Sequence, residues 1–271
     1  MALVAAARQD VERAWTGFES VGWRGRSDGR EFVVEHGRRG DLRMRARPAI
    51  DMHLSSNGGT LLVAASAATW TETARVLLDS ALFTVSLRHG NEALHAGAVT
   101  LDGRIIAVAG DTGAGKTSLV QALLDEGCLF FADDVLTLRS GGPGLLGFPA
   151  PPVMTVRAPR PGLGTVIDHV DGETWLAVDG APAALPLAGV VILGAATCGG
   201  VAWHELLVHL LRFPRTRERE RARFELAAEL TARTPVLRLR AHSAPPAELA
   251  RRVVEWARSP RRPDLDGHAR S

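Results

Sequence analysis

The residues with the clearest chemistry are Gly110-Asp111-Thr112-Gly113-Ala114-Gly115-Lys116-Thr117, a Gly-x-x-x-x-Gly-Lys-Thr pattern. Glycines at these spacings let a backbone curl so that several N–H groups converge on an anion. A helix beginning at Lys116 would add the positive end of its dipole. Lys116 is placed to reach the β- and γ-phosphates of a nucleotide, and the Thr117 hydroxyl to ligate Mg²⁺. Cofactor contacts are expected from Gly110, Asp111, Thr112, Gly113, Ala114, Gly115, Lys116, Thr117 and Ser118. Lys116 is also the single lysine of the chain; every other strongly basic side chain is arginine. A compact ammonium is therefore expected to be required there, where a planar guanidinium fork would not serve.

A phosphate site also needs groups that hold metal and move a proton. Asp133 and Asp134 follow the apolar stretch Cys128–Ala132. Side chains alternate along a strand, so a bend is needed for both carboxylates to share one site. One could ligate metal and the other accept a proton from an attacking hydroxyl. His95 is a third candidate, although a lone histidine is more often structural. Arginines that could stabilise transferring phosphate are numerous: Arg157 and Arg160 in a proline-rich stretch, and Arg212, Arg215, Arg217, Arg219, Arg221 and Arg223 in a run with Glu218 and Glu220. That run reads as a solvated helix laced with ion pairs. The N-terminal arginines, Arg24 to Arg47, likewise read as a solvated face balanced by nearby acids.

The elements that must position these residues follow from local pattern. Ala96–Leu101 and Arg104–Ala109 are apolar runs separated by Asp102-Gly103, a two-residue hairpin signal. The second run feeds the glycine loop directly. A helix should span Lys116 to Glu126, with Leu119, Val120, Leu123 and Leu124 inward and Gly127 ending it. Strands are expected at Cys128–Ala132, Val135–Leu138, Leu187–Leu193 and Val236–Arg240, and helices at Ala202–Leu211, Arg217–Thr231 and Ala247–Ala257. Phe148–Pro161 reads as an extended loop over the site. Before residue 91, helices are expected at Val11–Phe18 and Thr71–Leu87 and strands at Glu31–Glu35, Leu42–Arg47 and Thr60–Ala65. The expected organisation is a smaller α+β segment over 1–90, a catalytic domain over 91–258 and a disordered tail over 259–271.

Composition limits the alternatives. The 271 residues are 46% hydrophobic and 23% charged, with a formal net charge of +2, which argues against global disorder and against nucleic-acid binding through bulk charge. Two cysteines exclude a disulfide framework or a cysteine-based zinc cluster, and with no secretory signal they point to a cytoplasmic protein. The uncharged run Ala181–Trp203 is broken by Pro182, Pro186 and Gly199-Gly200, so no membrane span is expected.

His95-Ala96-Gly97-Ala98-Val99, the Asp102-Gly103 turn, the Gly110–Thr117 loop and Ala132-Asp133-Asp134, in that order, resemble the catalytic domain of HPr kinase/phosphorylase and its relatives. That family enters its phosphate loop from a β-hairpin, and its core is similar to that of phosphoenolpyruvate carboxykinase. The resemblance covers roughly residues 94–140 and is fainter over Phe148–Val156 and Pro235–Arg240. It implies an α/β P-loop core with a mixed sheet. It also implies Asp133 as general base, Asp134 as its metal-linked partner, His95 close to the base, and Thr117 in place of the family's serine on magnesium.

Two features depart from the family. Its Arg-Gly-Leu-Gly-Ile-Ile-Asn signature is echoed only as Pro161-Gly162-Leu163-Gly164-Thr165-Val166-Ile167, and the N-terminal segment does not match the full enzyme's N-terminal domain. HPr and reverse phosphorolysis are therefore not implied. Smaller relatives of this length include kinases acting on the C-terminal serine of lasso-peptide precursors, and relatives form symmetric oligomers. The expected activity is Mg²⁺-dependent transfer from ATP or another nucleoside triphosphate to a serine of a peptide or protein. A kinase for a small hydroxyl metabolite and a non-catalytic nucleotide-binding regulator are the alternatives.

Overall fold

The computed structural model describes residues 1–27, 30–46, 49–66, 70–141, 144–170, 172–194 and 217–259. The described residues divide into two compact units: Met1–Asn91 belong to the first, and those from Glu92 onward, apart from the first turn of the helix that starts at Arg217, to the second. The fold is mixed α/β, with three sheets among the described residues. The helix expected at Ala202–Leu211 and the tail from residue 260 lie outside the described residues.

In the first unit, β1 (Ala2–Ala5), β2 (Phe18–Ser27), β3 (Arg30–Gly37), β4 (Leu42–Ala46), β5 (Ile50–Leu54) and β6 (Thr60–Ala65) form one sheet in the order β1-β6-β5-β4-β3-β2. The period-2 alternation divides its faces. Phe32, Val34, Met44, Met52, Leu54, Leu61 and Val63 pack with Leu77, Ala81 and Val85. These last three come from a helical stretch made of α2 (Trp70–Val76), a π-helical turn (Leu77–Ala81) and α3 (Leu82–Arg88). The opposite face carries Glu35, Arg43, Arg45, Asp51 and His53. Arg43 forks onto Asp51, Arg45 pairs with Glu35, and Arg8 of α1 (Arg8–Ala14) lies 3.8 Å from Asp51. Among the N-terminal arginines, Arg43 and Arg45 are thus committed to acids of their own sheet.

In the second unit, β7 (Glu92–Leu101) and β8 (Arg104–Gly110) form the expected hairpin, with Asp102 and Gly103 at φ 50° and 72°. Both positive angles belong to the turn that matches the twist of the strands. The remaining strands are β9 (Leu129–Ala132), β10 (Val135–Ser140), β11 (Leu145–Phe148), β12 (Val153–Val156), β13 (Thr165–Val170), β14 (Glu173–Ala177), β15 (Leu185–Gly194) and β16 (Val236–Arg240). The helices are α4 (Lys116–Asp125), α5 (Arg217–Arg233) and α6 (Pro246–Arg258). β8, β15 and β16 are parallel neighbours, and β7 is antiparallel to β8. β10 pairs with both β7 and β11, so β7, β8, β15, β11 and β10 close into a ring.

β8 is buried on both faces, as the central strand of a covered sheet must be. Ile106 and Val108 face α4 and α6, while Ile105, Ala107 and Ala109 face Leu226, Ala227 and Leu230 of α5. α6 contributes Leu249, Ala250, Val253 and Val254, a stripe at helical spacing. Burial of each large aliphatic side chain there contributes about 1.5–3 kcal/mol.

Three expectations are corrected. The helix expected at Val11–Phe18 spans Arg8–Ala14 instead, because Trp15 is already extended and Gly17 takes φ 99°, and Phe18 opens β2. Phe148–Pro161 is not wholly loop: β12 lies inside it and pairs with β14 in a three-stranded sheet, β12-β14-β13. The arginine run is not a purely solvated helix face: Arg223 is 1% exposed and its Nε donates to Glu92 Oε2 at 3.1 Å.

Candidate active site

The parallel strands β8, β15 and β16 end on one side of the sheet, the side where ligands of open α/β sheets bind. Registers place their ends in a row. Gly110 of β8 stands opposite Leu193 of β15, and Gly194 opposite Arg240 of β16. On the other flank, Ala109 stands opposite Ala96 of β7, and the Ala96 amide donates to the Asp134 carbonyl at 3.1 Å. At about 4.8 Å per strand, the Asp134 backbone lies about 10 Å from the start of the glycine loop.

Local chemistry shapes that loop. A Cβ on Gly110 would lie 2.6 Å from the Leu193 carbonyl oxygen, so only glycine fits between the strands. Gly113 and Gly115 adopt φ 83° and 96°, left-handed values that glycine reaches without steric cost. Ala114 N–H closes a turn on the Asp111 carbonyl at 3.1 Å, whereas the amides of Thr112, Gly113 and Gly115 donate to no backbone carbonyl among the described residues. Gly115 is the N-cap of α4. Lys116 is 8% exposed, and its Nζ donates to the Gly110 and Asp111 carbonyls at 3.0 and 3.3 Å. Thr117 is half-buried on the first turn of α4, and Ser118 is exposed.

The two aspartates occupy the break between β9 and β10, both antiparallel partners of β7. Asp134 adopts φ 54°, which interrupts the strand alternation. Its side chain is exposed. Its carbonyl also accepts from His95 Nδ1 at 3.0 Å. A carbonyl can only accept, so Nδ1 carries a proton and donates it. Asp133 is half-buried, and its Oδ2 accepts the amide of Thr155 on β12 at 2.8 Å. His95, Asp133 and Asp134 therefore meet at one backbone junction, and the glycine loop begins at the next strand end.

Sequence reasoning missed two contributors. The Thr155 amide carries no side-chain signal. His242, in the turn between β16 and α6, places Nε2 3.1 Å from the Gly113 carbonyl. The arginine candidates are dispersed: Arg160 pairs with Asp125 at the far end of α4, Arg157 is exposed and 4.0 Å from Glu173, and Arg221 pairs with Glu225. Arg212 and Arg215, and the side chains of Arg217 and Arg219, lie outside the described residues.

Among the described residues, no group of three or more His, Cys, Asp or Glu side chains could hold a metal ion by itself. No helix among them is long and apolar enough to cross a membrane. Cys128 is buried, and burial pushes its thiol up to about 11, opposed by Arg258 and reinforced by Asp102 and Glu126. Cys198 lies outside the described residues.

No protein-family model matches the chain, and no curated protein matches it. Among solved structures it is similar to the HPr(Ser) kinase/phosphatase from Coxiella burnetii, with 21% identity and a TM-score of 0.28. The match covers 38% of this chain and 66% of that one, just under two thirds of its length.

Proposed function

We propose that this protein is a Mg²⁺-dependent kinase that transfers the γ-phosphoryl of ATP to a serine hydroxyl, on an α/β P-loop core. The observation that carries the reading is the row of strand ends: a glycine loop with a buried lysine at its base, flanked by a carboxylate oriented by a backbone amide. Phosphoryl transfer asks a protein for little besides positioning and charge, and these residues offer both.

In this reading the amides of Thr112, Gly113 and Gly115 and the start of α4 cradle the phosphates, and Lys116 turns from its carbonyls to the β- and γ-oxygens. Asp133 takes the proton of the serine hydroxyl as its oxygen bonds to the γ-phosphorus, and ADP leaves. Thr155 keeps that carboxylate aimed. His95 fixes the peptide of Asp134. Thr117 and Asp134 offer a hydroxyl and an exposed carboxylate, hard oxygen donors suited to Mg²⁺, which keeps waters and phosphate oxygens and needs few protein ligands. The ion would neutralise charge on the phosphate oxygens.

For the acceptor, we propose the C-terminal serine of a ribosomal, lasso-type peptide precursor. Mass spectrometry of reactions with Mg-ATP and such a peptide tests this. A gain of phosphate on the terminal serine is expected, with none on the same peptide ending in alanine. Phosphate gained by free serine or a sugar, and not by the peptide, would replace the acceptor with a small hydroxyl metabolite.

A further inference from the structure

We propose that His242 is a positioning residue that latches the glycine loop in its anion-binding form. The inference rests on the reading of that loop as a phosphate site and adds a part from outside the loop and its hairpin. His242 is an exposed residue with φ 56°, a left-handed conformation uncommon outside glycine. The turn around it is tied down on both sides. Ala241 N–H donates to the Gly194 carbonyl at 2.9 Å, and the Ser243 hydroxyl donates to the Arg240 carbonyl at 2.8 Å. Uncommon backbone conformations held in place by their surroundings concentrate at functional sites.

What the turn holds is the imidazole against the loop. Nε2 faces the Gly113 carbonyl at 3.1 Å, and a carbonyl can only accept, so Nε2 donates. The same ring would lie 3.7 Å from a Cβ at Gly115. An anion nest works only while its amides point inward and its carbonyl oxygens point away. The carbonyls of Gly110 and Asp111 hold Lys116 only until it turns to the phosphates, whereas the Gly113 carbonyl is held from outside the loop, by His242. A reversal of the Gly113–Ala114 peptide would aim an oxygen at the phosphates, and His242 opposes that reversal. Because Nε2 donates in both the neutral ring and the imidazolium, the latch does not depend on protonation.

The test separates the latch from a structural role. His242→Gly removes the donor and relaxes the positive φ, while His242→Gln restores a donor of similar reach. Melting temperature and calorimetric affinities for Mg-ATP and for inorganic tripolyphosphate are measured on the full chain. The latch predicts that His242→Gly melts no lower than wild type yet binds both ligands about five- to tenfold more weakly, the loss of one hydrogen bond. His242→Gln should recover most of that affinity. Unchanged affinities overturn the proposal. So does a loss confined to ATP, which would mean that His242 contacts the nucleoside, or a loss matched by a lower melting temperature. If wild type binds neither ligand, the reading of the loop itself fails and the latch falls with it. Wild-type binding that His242→Gly retains refutes the latch alone.

Discussion

The backbone amide of Thr155 donates to Oδ2 of Asp133 at 2.8 Å. β12 is the outer strand of its sheet, and this N–H is directed at the aspartate rather than along the ladder to β14. A carboxylate proposed to take a proton is thus aimed by a strand that lies far from the glycine loop in sequence. Thr155→Pro removes the donor at an edge-strand position, where proline is tolerated. Turnover should fall by between about tenfold and a hundredfold, the scale of a small misplacement of a reacting group. Nucleotide affinity should hold. Steady-state kinetics beside calorimetric titration check both.

Lys116 is buried and held by two carbonyls of its own loop. Arginine keeps the charge but presents a wide planar fork to a cradle shaped for an ammonium. Lys116→Arg should therefore weaken Mg-ATP binding by roughly tenfold or more, the value of a lost charge-assisted hydrogen bond. Titration of the variant checks this, and wild-type affinity would remove the reason for a lysine here.

Arg223 and Glu92 form an ion pair inside the second unit, 1% and 8% exposed at their side chains. Removing one partner leaves a buried charge poorly compensated and should cost about 3–5 kcal/mol. Glu92→Met and Arg223→Met should each lower the denaturation midpoint strongly. The double variant should recover much of that loss, because a buried pair is often replaceable by apolar groups. Urea unfolding of the three variants measures the coupling.

Asp41 sits at the centre of a small network in the first unit. Burial pushes its carboxyl upward, but bonds from the Thr16 hydroxyl and amide and from His53 outweigh burial and hold it below the ordinary aspartate range. A depressed folded pKa stabilises the fold fully above the unfolded value of about 3.9, and that stabilisation fades as pH falls through the folded value. Melting temperature should drop between about pH 5 and pH 3 more steeply in wild type than in Asp41→Asn. Parallel slopes would mean that other carboxylates dominate acid unfolding.

The glycine loop and its hairpin were legible because both are written in local chemistry. Asp102-Gly103 requires positive φ, and Gly110, Gly113 and Gly115 are where a Cβ would clash or strain. The adjacent aspartates pointed to a bend, and the φ of Asp134 supplies one. Other parts were hidden for physical reasons. β12 lies among prolines that mask a four-residue strand, and β5 is short and buried throughout, so it lacks the alternation that marks a strand. Arg223 belongs by type to a solvated run, and only tertiary packing puts it opposite Glu92. His242 and the Thr155 amide depend on strand order and register, which single residue types do not encode.

The central claim is that Asp133 is the base of a phosphoryl transfer carried out at the glycine loop. The most direct test follows phosphate from γ-labelled Mg-ATP into a peptide ending in serine, with wild type beside Asp133→Asn and nucleotide affinity measured on both. The account predicts transfer by wild type and near-complete loss in Asp133→Asn, with nucleotide affinity retained. Transfer by Asp133→Asn at the wild-type rate would contradict it.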